Sequence, residues 1–290
     1  MNFTPTHPNT KLISKYEWKP SSTEGLITEL SQIANTGRDT NKFLLYRGHR
    51  DHRWLLDSTF VRSFKTTLFG IEPFHRLTQR ITESAEFHPA VLNLFLLKFG
   101  VLARPSDELE ANAEEHDLDA WFEFMKRIQQ YPAEDGFFLK GTNLVDWSQS
   151  ADVALFFANE NRAGEGAIFV CDATATGKTL QKIPVGAVLD KMNEIGNSGK
   201  PLGVPLLFHP GKQIANQRPK NQQAVYFAQM DLRYDFQQIW ELYEREQKTE
   251  PVYVKIVLPT DSIHEINSHL KEKDIDSQFI YPDRKYGSAR

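Results

Sequence analysis

Apolar residues recur along this chain with two different periods, and the change of period marks a change of architecture. Over residues 23–35, Leu26, Ile27, Leu30 and Ile33 share one helical face behind Ser22 or Thr23, which predicts a capped first helix. Residues 43–46 form a short apolar run ending on Arg47 and Gly48, the pattern of a buried strand. Helical spacing then dominates. It runs through Phe74, Leu77 and Ile81, through Leu92, Phe95, Leu96 and Phe99, and through Leu118, Trp121, Phe122, Met125 and Ile128. From about residue 136 strand-like segments take over at 136–139, 167–172, 224–229 and the alternating 252–258. Ser262 to Glu265 has the form of a capping box ahead of Ile263, Ile266 and Leu270, and residues 279–281 are a last segment able to close the sheet. This order predicts an α+β protein: a proline-punctuated arm over 1–22, then a single domain over 23–290 with an inserted helical subdomain near 70–135.

Composition narrows the function classes. With 40% apolar and 12% aromatic residues the chain can bury a substantial core. A formal charge of -4 gives no global attraction to nucleic acid or to an anionic membrane, so any such contact needs a local patch. The single cysteine, Cys171, sits in an apolar run, which excludes an intrachain disulfide and reads as a structural thiol. No apolar stretch reaches about 18 residues and the N-terminus lacks a signal-peptide profile, so a cytoplasmic protein without a membrane partner is expected. Residues 107–119 carry seven carboxylates and no Lys or Arg, either a solvated face or a docking surface for a basic partner.

Several motifs fail on chemistry. Residues 172–179 follow a strand and end in Gly177, Lys178 and Thr179, but Asp172 stands where a phosphate loop needs its first glycine, and its carboxylate would repel the phosphate. His49 and His52 lack a second cluster with ligand spacing, so no metal is expected. No nucleophile elbow supports acyl transfer.

What remains is a pair of segments that join apolar runs to polar residues. Arg47 at a strand exit offers a planar fork suited to a carboxylate or pyrophosphate, and Gly48 would let a ligand approach the backbone. A hundred residues later Trp147, Ser148, Gln149 and Ser150 precede a mostly apolar helix, with Ser148 or Ser150 as its N-cap. The helix start and two hydroxyls would make a second polar wall for an anionic or ribose-bearing ligand. Asp146 and Trp147 have two readings, contact with substrate, or a pinned turn and a core cover. Tyr46, Arg47, His49, Arg50, His52, Arg53 and Trp54 interleave basic and aromatic residues, which suits either a polar turn or a grip on single-stranded nucleic acid.

These segments resemble the FRG domain. Tyr46, Arg47, Gly48 and His49 look like its opening motif, with Trp54, Leu55 and Arg62 at similar spacing. Residues 144–158 look like its Leu-Leu-Asp-Trp-Thr-x-Ser-Pro-x-x-Ala-x-x-Phe-Ala signature, residues 218–224 like its Arg-x-x-x-Gln-x-Gly stretch and residues 279–283 like its closing Phe-Pro-Asp. Asn143 and Ala224 depart from the pattern, standing where an arginine and a glycine are usual. At fold level, the order of arginine strand, Ser-x-Ser strand end and third polar motif is similar to the Arg, Ser and Glu triad of ADP-ribosyltransferases.

The resemblance implies a mixed, mainly antiparallel split sheet of ADP-ribosyltransferase type. It implies NAD as co-substrate, held by Tyr46, Arg47, Gly48, His49, Trp147, Ser148 and Arg218. Arg47, Ser150, Gln222 and Gln223 would be the catalytic set, with Ser148 or Ser150 orienting the nicotinamide ribose. Gln222 and Gln223 replace a carboxylate by an amide, and Asp146 or Asp51 could supply the missing charge. The implied function is ADP-ribosyl transfer to a macromolecular acceptor, RNA, DNA or protein, as an intracellular toxin or antiviral effector restrained by a neutralising partner protein. The alternatives are an NAD hydrolase and a non-catalytic nucleotide-binding or protein-interaction module.

Overall fold

The computed structural model describes residues 3–102, 125, 128–129, 135–176, 178–180, 192–196, 206–208 and 217–282. Among them nine strands form one sheet: β1 (Thr10–Ser14), β2 (Glu17–Pro20), β3 (Leu44–His49), β4 (Leu144–Ser148), β5 (Ala167–Asp172), β6 (Lys178–Leu180), β7 (Leu206–Phe208), β8 (Ala224–Ala228) and β9 (Tyr253–Val257). Their spatial order is β1-β2-β9-β5-β3-β4-β8-β7-β6, with parallel pairing only at β2/β9 and β6/β7. The helices are α1 (Thr23–Asp39), α2 (Thr59–Phe69), α3 (Gln79–Thr82), α4 (Phe87–Leu102), α5 (Ala151–Asn159), α6 (Ala173–Thr176), α7 (Gln217–Asn221), α8 (Phe236–Gln247), α9 (Ile263–Glu272) and α10 (Ser277–Ile280). The class is α+β, and the sheet is mixed and mainly antiparallel.

Alternation along the central strands divides the core. Leu45, Val145, Trp147, Phe169, Val225 and Phe227 point to one face, where Phe236 and Trp240 of α8 cover them. The opposite face carries two separate helix groups. Leu44, Tyr46, Ile168 and Val254 pack under α1, α5 and α9, whereas Leu144, Ala224, Tyr226 and Ala228 pack under α2 and α4. The two groups part at the seam between β3 and β4. There the ladder is reduced to one pair, Tyr46 with Ser148, although β3 pairs along its whole length with β5 and β4 with β8. Beyond that pair the strands diverge and leave a cleft.

The structure departs from the sequence pattern in instructive places. The first 22 residues, expected as an arm, supply β1 and β2; Trp18 is fully buried and the Glu29 carboxylate accepts from Thr6 N and His7 N. Residues 136–139, expected as a strand, are a bend, because the fully buried Lys98 ammonium takes their neighbourhood's carbonyls: it donates to Leu139 O at 2.8 Å and Gly141 O at 2.5 Å, and to Asp135 Oδ2 at 2.8 Å. Phe74 and Leu77 lie in irregular chain, with only α3 helical, since Pro73 contributes no amide to a helix and its carbonyl accepts from Leu55 N. Residues 279–281 do not add a strand but end in α10. Ser262 precedes α9 without capping it; its hydroxyl donates to Pro259 O instead. A full capping box occurs at Asp235 and Gln238, where α8 begins. The acidic run 107–119 and Leu118, Trp121 and Phe122 lie outside the described residues, as does part of the expected insertion; α4, inside it, packs with α2 on the main sheet.

Candidate functional site

The cleft left by the diverging strands has a volume of about 460 Å³, within the roughly 300–1,000 Å³ typical of small-molecule sites. It collects three of the four sequence motifs. Arg47 and Gly48 come from the end of β3, Asp146 and Ser148 from β4, and Arg218 and Gln222 from α7 and the turn after it. The closing segment forms its support. Gln222 Nε2 donates to Ile280 O at 3.1 Å, Asn221 Nδ2 to Phe279 O at 2.6 Å, and the Arg218 guanidinium lies 4.9 Å over the Tyr281 ring. Asp283 lies outside the described residues.

Arg47 is held before any ligand arrives. Its Nε donates to His49 Nε2 at 2.9 Å and its Nη1 to the Asp146 carbonyl, which leaves Nη2 with no protein partner among the described residues. Because His49 Nε2 accepts, the ring proton is assigned to Nδ1 and the imidazole is neutral. Burial, reinforced by Arg47 and Arg62, holds the His49 pKa well below the ordinary histidine value, which keeps the acceptor in place at neutral pH. The Arg47 pKa is pulled down to about 10 by burial and by Arg62, with Asp146 acting against both, so the guanidinium stays charged. Arg62 is itself tethered, Nη1 to Asp57 O at 2.8 Å and Nη2 to Thr59 Oγ1 at 3.1 Å.

Three arginines, Arg47, Arg62 and Arg218, thus surround one carboxylate, Asp146. Water reaches that carboxylate through the cleft mouth, yet protein encloses it closely enough that burial raises its pKa, opposed by Arg47, Arg218 and Arg62. Gln129 Nε2 donates to it at 3.0 Å. The arrangement is cationic, pre-set and suited to an anionic ligand.

Other expected site residues take different places. The Ser148 hydroxyl donates to Gln222 O at 2.8 Å and accepts from Ser150 N at 2.9 Å, so it ties the strand end to the third motif. Ser150 is the N-cap of α5, accepting from Val153 N at 3.3 Å, and lies outside the cleft lining. Gln223, exposed at φ 46°, is also outside it, whereas Gln222 is inside. The Trp147 side chain is buried edge-on to Phe227 and Trp240, the core-cover reading of that residue. Gly48 lines the cleft, but the space opened by its missing side chain belongs to α5: an added Cβ would stand 2.0 Å from Ala154 O. Asp51 is paired with Arg53 at 2.6 Å and does not line the cleft.

Sequence reasoning missed Gln129, Glu160 and Tyr226 in the lining, and gave Arg62 only as a spacing match. Glu160 accepts from Tyr281 OH at 2.7 Å, a contact across 121 positions that no local pattern announces. Among the described residues no three His, Cys, Asp or Glu side chains gather in a group able to hold a metal ion. Nor is any described helix long and apolar enough to cross a membrane.

A comparison with protein families matches residues 42–166 to the FRG domain. The match covers the first two motifs; the third and fourth lie beyond it and join them only in space. No curated protein and no solved structure matches the chain.

Proposed function

We propose, on the premise that residues 42–166 are an FRG domain, that the cleft binds NAD as co-substrate and that the protein transfers ADP-ribose to a macromolecular acceptor. The observation that carries the reading is the convergence of Arg47, Arg62 and Arg218 at the point where β3 and β4 part. A pyrophosphate spans two guanidiniums, and a cleft in a sheet opened at its centre is what a split sheet of ADP-ribosyltransferase type would provide.

In such a reaction the bond between the nicotinamide nitrogen and the ribose anomeric carbon breaks, its electron pair leaving with nicotinamide. The acceptor nucleophile attacks that carbon and gives up its proton. Arg47, locked by His49 and the Asp146 carbonyl, would hold phosphate without reorganisation. Gln222 would hydrogen-bond a ribose hydroxyl. Asp146, the carboxylate among the arginines, would face the developing positive charge in place of the glutamate absent from the third motif.

A second reading, a nucleotide-binding module without turnover, is favoured by two observations: the third motif offers an amide, and the Ser148 hydroxyl is already engaged with backbone partners. Adenine-labelled NAD added with cell extract separates the readings. Label in a protein, RNA or DNA fraction, lost in Arg47→Ala, supports transfer; release of nicotinamide without label supports hydrolysis. Saturable NAD binding without either product supports the module. Removal of the charge-assisted contacts of Arg47 is expected to weaken NAD binding by about 10-fold or more.

A further inference from the structure

We propose that a groove adjoining the cleft binds single-stranded nucleic acid and presents it as the acceptor; the acceptor half rests on the transfer reading, the binding half does not. The groove, about 610 Å³, runs between the loop after β3 and the loop after α5. Its walls include His52, Arg53 and Glu165, and it shares Arg50, Trp54 and Asn161 with the cleft, so the two spaces are continuous.

Its surface pairs cations with aromatic faces. The Arg50 guanidinium lies 5.8 Å over the half-buried Trp54 ring, and the Arg53 guanidinium 4.8 Å over Phe74, a ring outside the groove lining. Trp54 is steadied edge-on by the buried His49, ring centroids 6.1 Å apart, which makes it a fixed platform at the junction of groove and cleft. The carboxylates of the groove are paired, Asp51 with Arg53 at 2.6 Å and Glu165 with Lys19 at 2.5 Å. Among the described residues no carboxylate lies within ion-pair distance of exposed Arg50. On a chain of net charge -4 this is a local basic and aromatic strip.

Backbone-tracking cations beside stacking platforms are what single strands use, because every base has a π-face and every nucleotide a phosphate. A base stacked on Trp54 would set its neighbouring phosphate against Arg50 and its reactive edge at the cleft mouth. A duplex, with its bases already stacked, could not use the platform.

The test is fluorescence anisotropy with end-labelled single-stranded RNA and DNA of about ten nucleotides, without NAD and across a salt series. Expected is binding that weakens with salt, that falls about 10-fold or more in Trp54→Ala, and whose log–log salt slope drops by about 0.7 in Arg50→Ala, the loss of one phosphate contact. The RNA and DNA arms identify the strand preferred. Absence of binding, or binding that both groove variants leave intact, overturns the proposal, as does a labelled protein whose modification depends on Arg50. Oligonucleotide binding without nicotinamide release defeats the transfer reading and leaves the groove standing; release without oligonucleotide binding does the reverse.

Discussion

Gly48→Ala tests what the glycine beside Arg47 is for. A Cβ there would lie 2.0 Å from Ala154 O and 2.5 Å from Ala158 N, both backbone atoms of α5. Carbon contacts are comfortable near 3.5 Å, so the helix would have to retreat by about 1.5 Å. No rotamer change can relieve a clash with backbone. Overpacking of this kind costs about 1–3 kcal/mol, and the rigidity of the obstacle places Gly48 at the upper end. For a domain of this size the melting temperature should fall by roughly 6–10 °C. The retreat would also drag Ser150 and the Ser148 tie away from Gln222, so nucleotide affinity should fall with stability. Gly136→Ala is the control, because nothing lies within 4 Å of its added Cβ. Scanning calorimetry on both variants, with NAD titration, reads the outcome. A Gly48→Ala protein that melts like wild type but has lost ligand binding would refute the helix-packing account and restore the ligand-approach reading.

Three further outcomes rest on the Lys98, Ser150 and His49 side chains. Lys98→Met should cost about 3–5 kcal/mol in urea denaturation, because it strands Asp135 together with the carbonyls of Leu139 and Gly141; a loss under about 1 kcal/mol would mean the pair is not the clamp it looks. Ser150→Ala should cost about 1 kcal/mol through loss of the α5 cap, again by denaturation, and a neutral result would deny the cap its role. His49 has a folded pKa held below its unfolded value, so its contribution is present above about pH 6.5 and is lost as pH falls toward the folded pKa, where only the unfolded chain first gains the proton. His88 acts in the same direction, whereas Asp235, raised by burial, acts oppositely. The difference between wild type and His49→Gln isolates this contribution: the variant should lose less stability between pH 7 and 5, and equal slopes would contradict the neutral-imidazole geometry.

How much of this was legible depended on the range of each interaction. Alternation over Val252 to Leu258 announced β9, and Ala167 to Cys171 announced β5 because a strand buried on both faces is written in consecutive apolar residues. Ser22 and the stripe Leu26, Leu30 and Ile33 announced α1 for the same local reason. Residues 136–139 misled, because the atoms that decide their conformation sit on Lys98, 41 positions from Leu139. The N-terminal residues misled because β2 finds its partner in β9, at the far end of the chain.

The sequence by itself determined the helix and strand segments with strong periodicity, the α+β class and the four polar motifs, Arg47 foremost among them, since each is encoded within a few residues. Only the tertiary structure decided which motif residues face the cleft. Strand divergence after Tyr46 and Ser148 opened it, α5 claimed the space above Gly48, and the ties of Ser148 and Gln222 set the third motif against the first. Those outcomes depend on contacts between residues about 70 to 110 positions apart, and a side chain's role at a site is fixed by the neighbours that folding delivers rather than by those beside it in the chain.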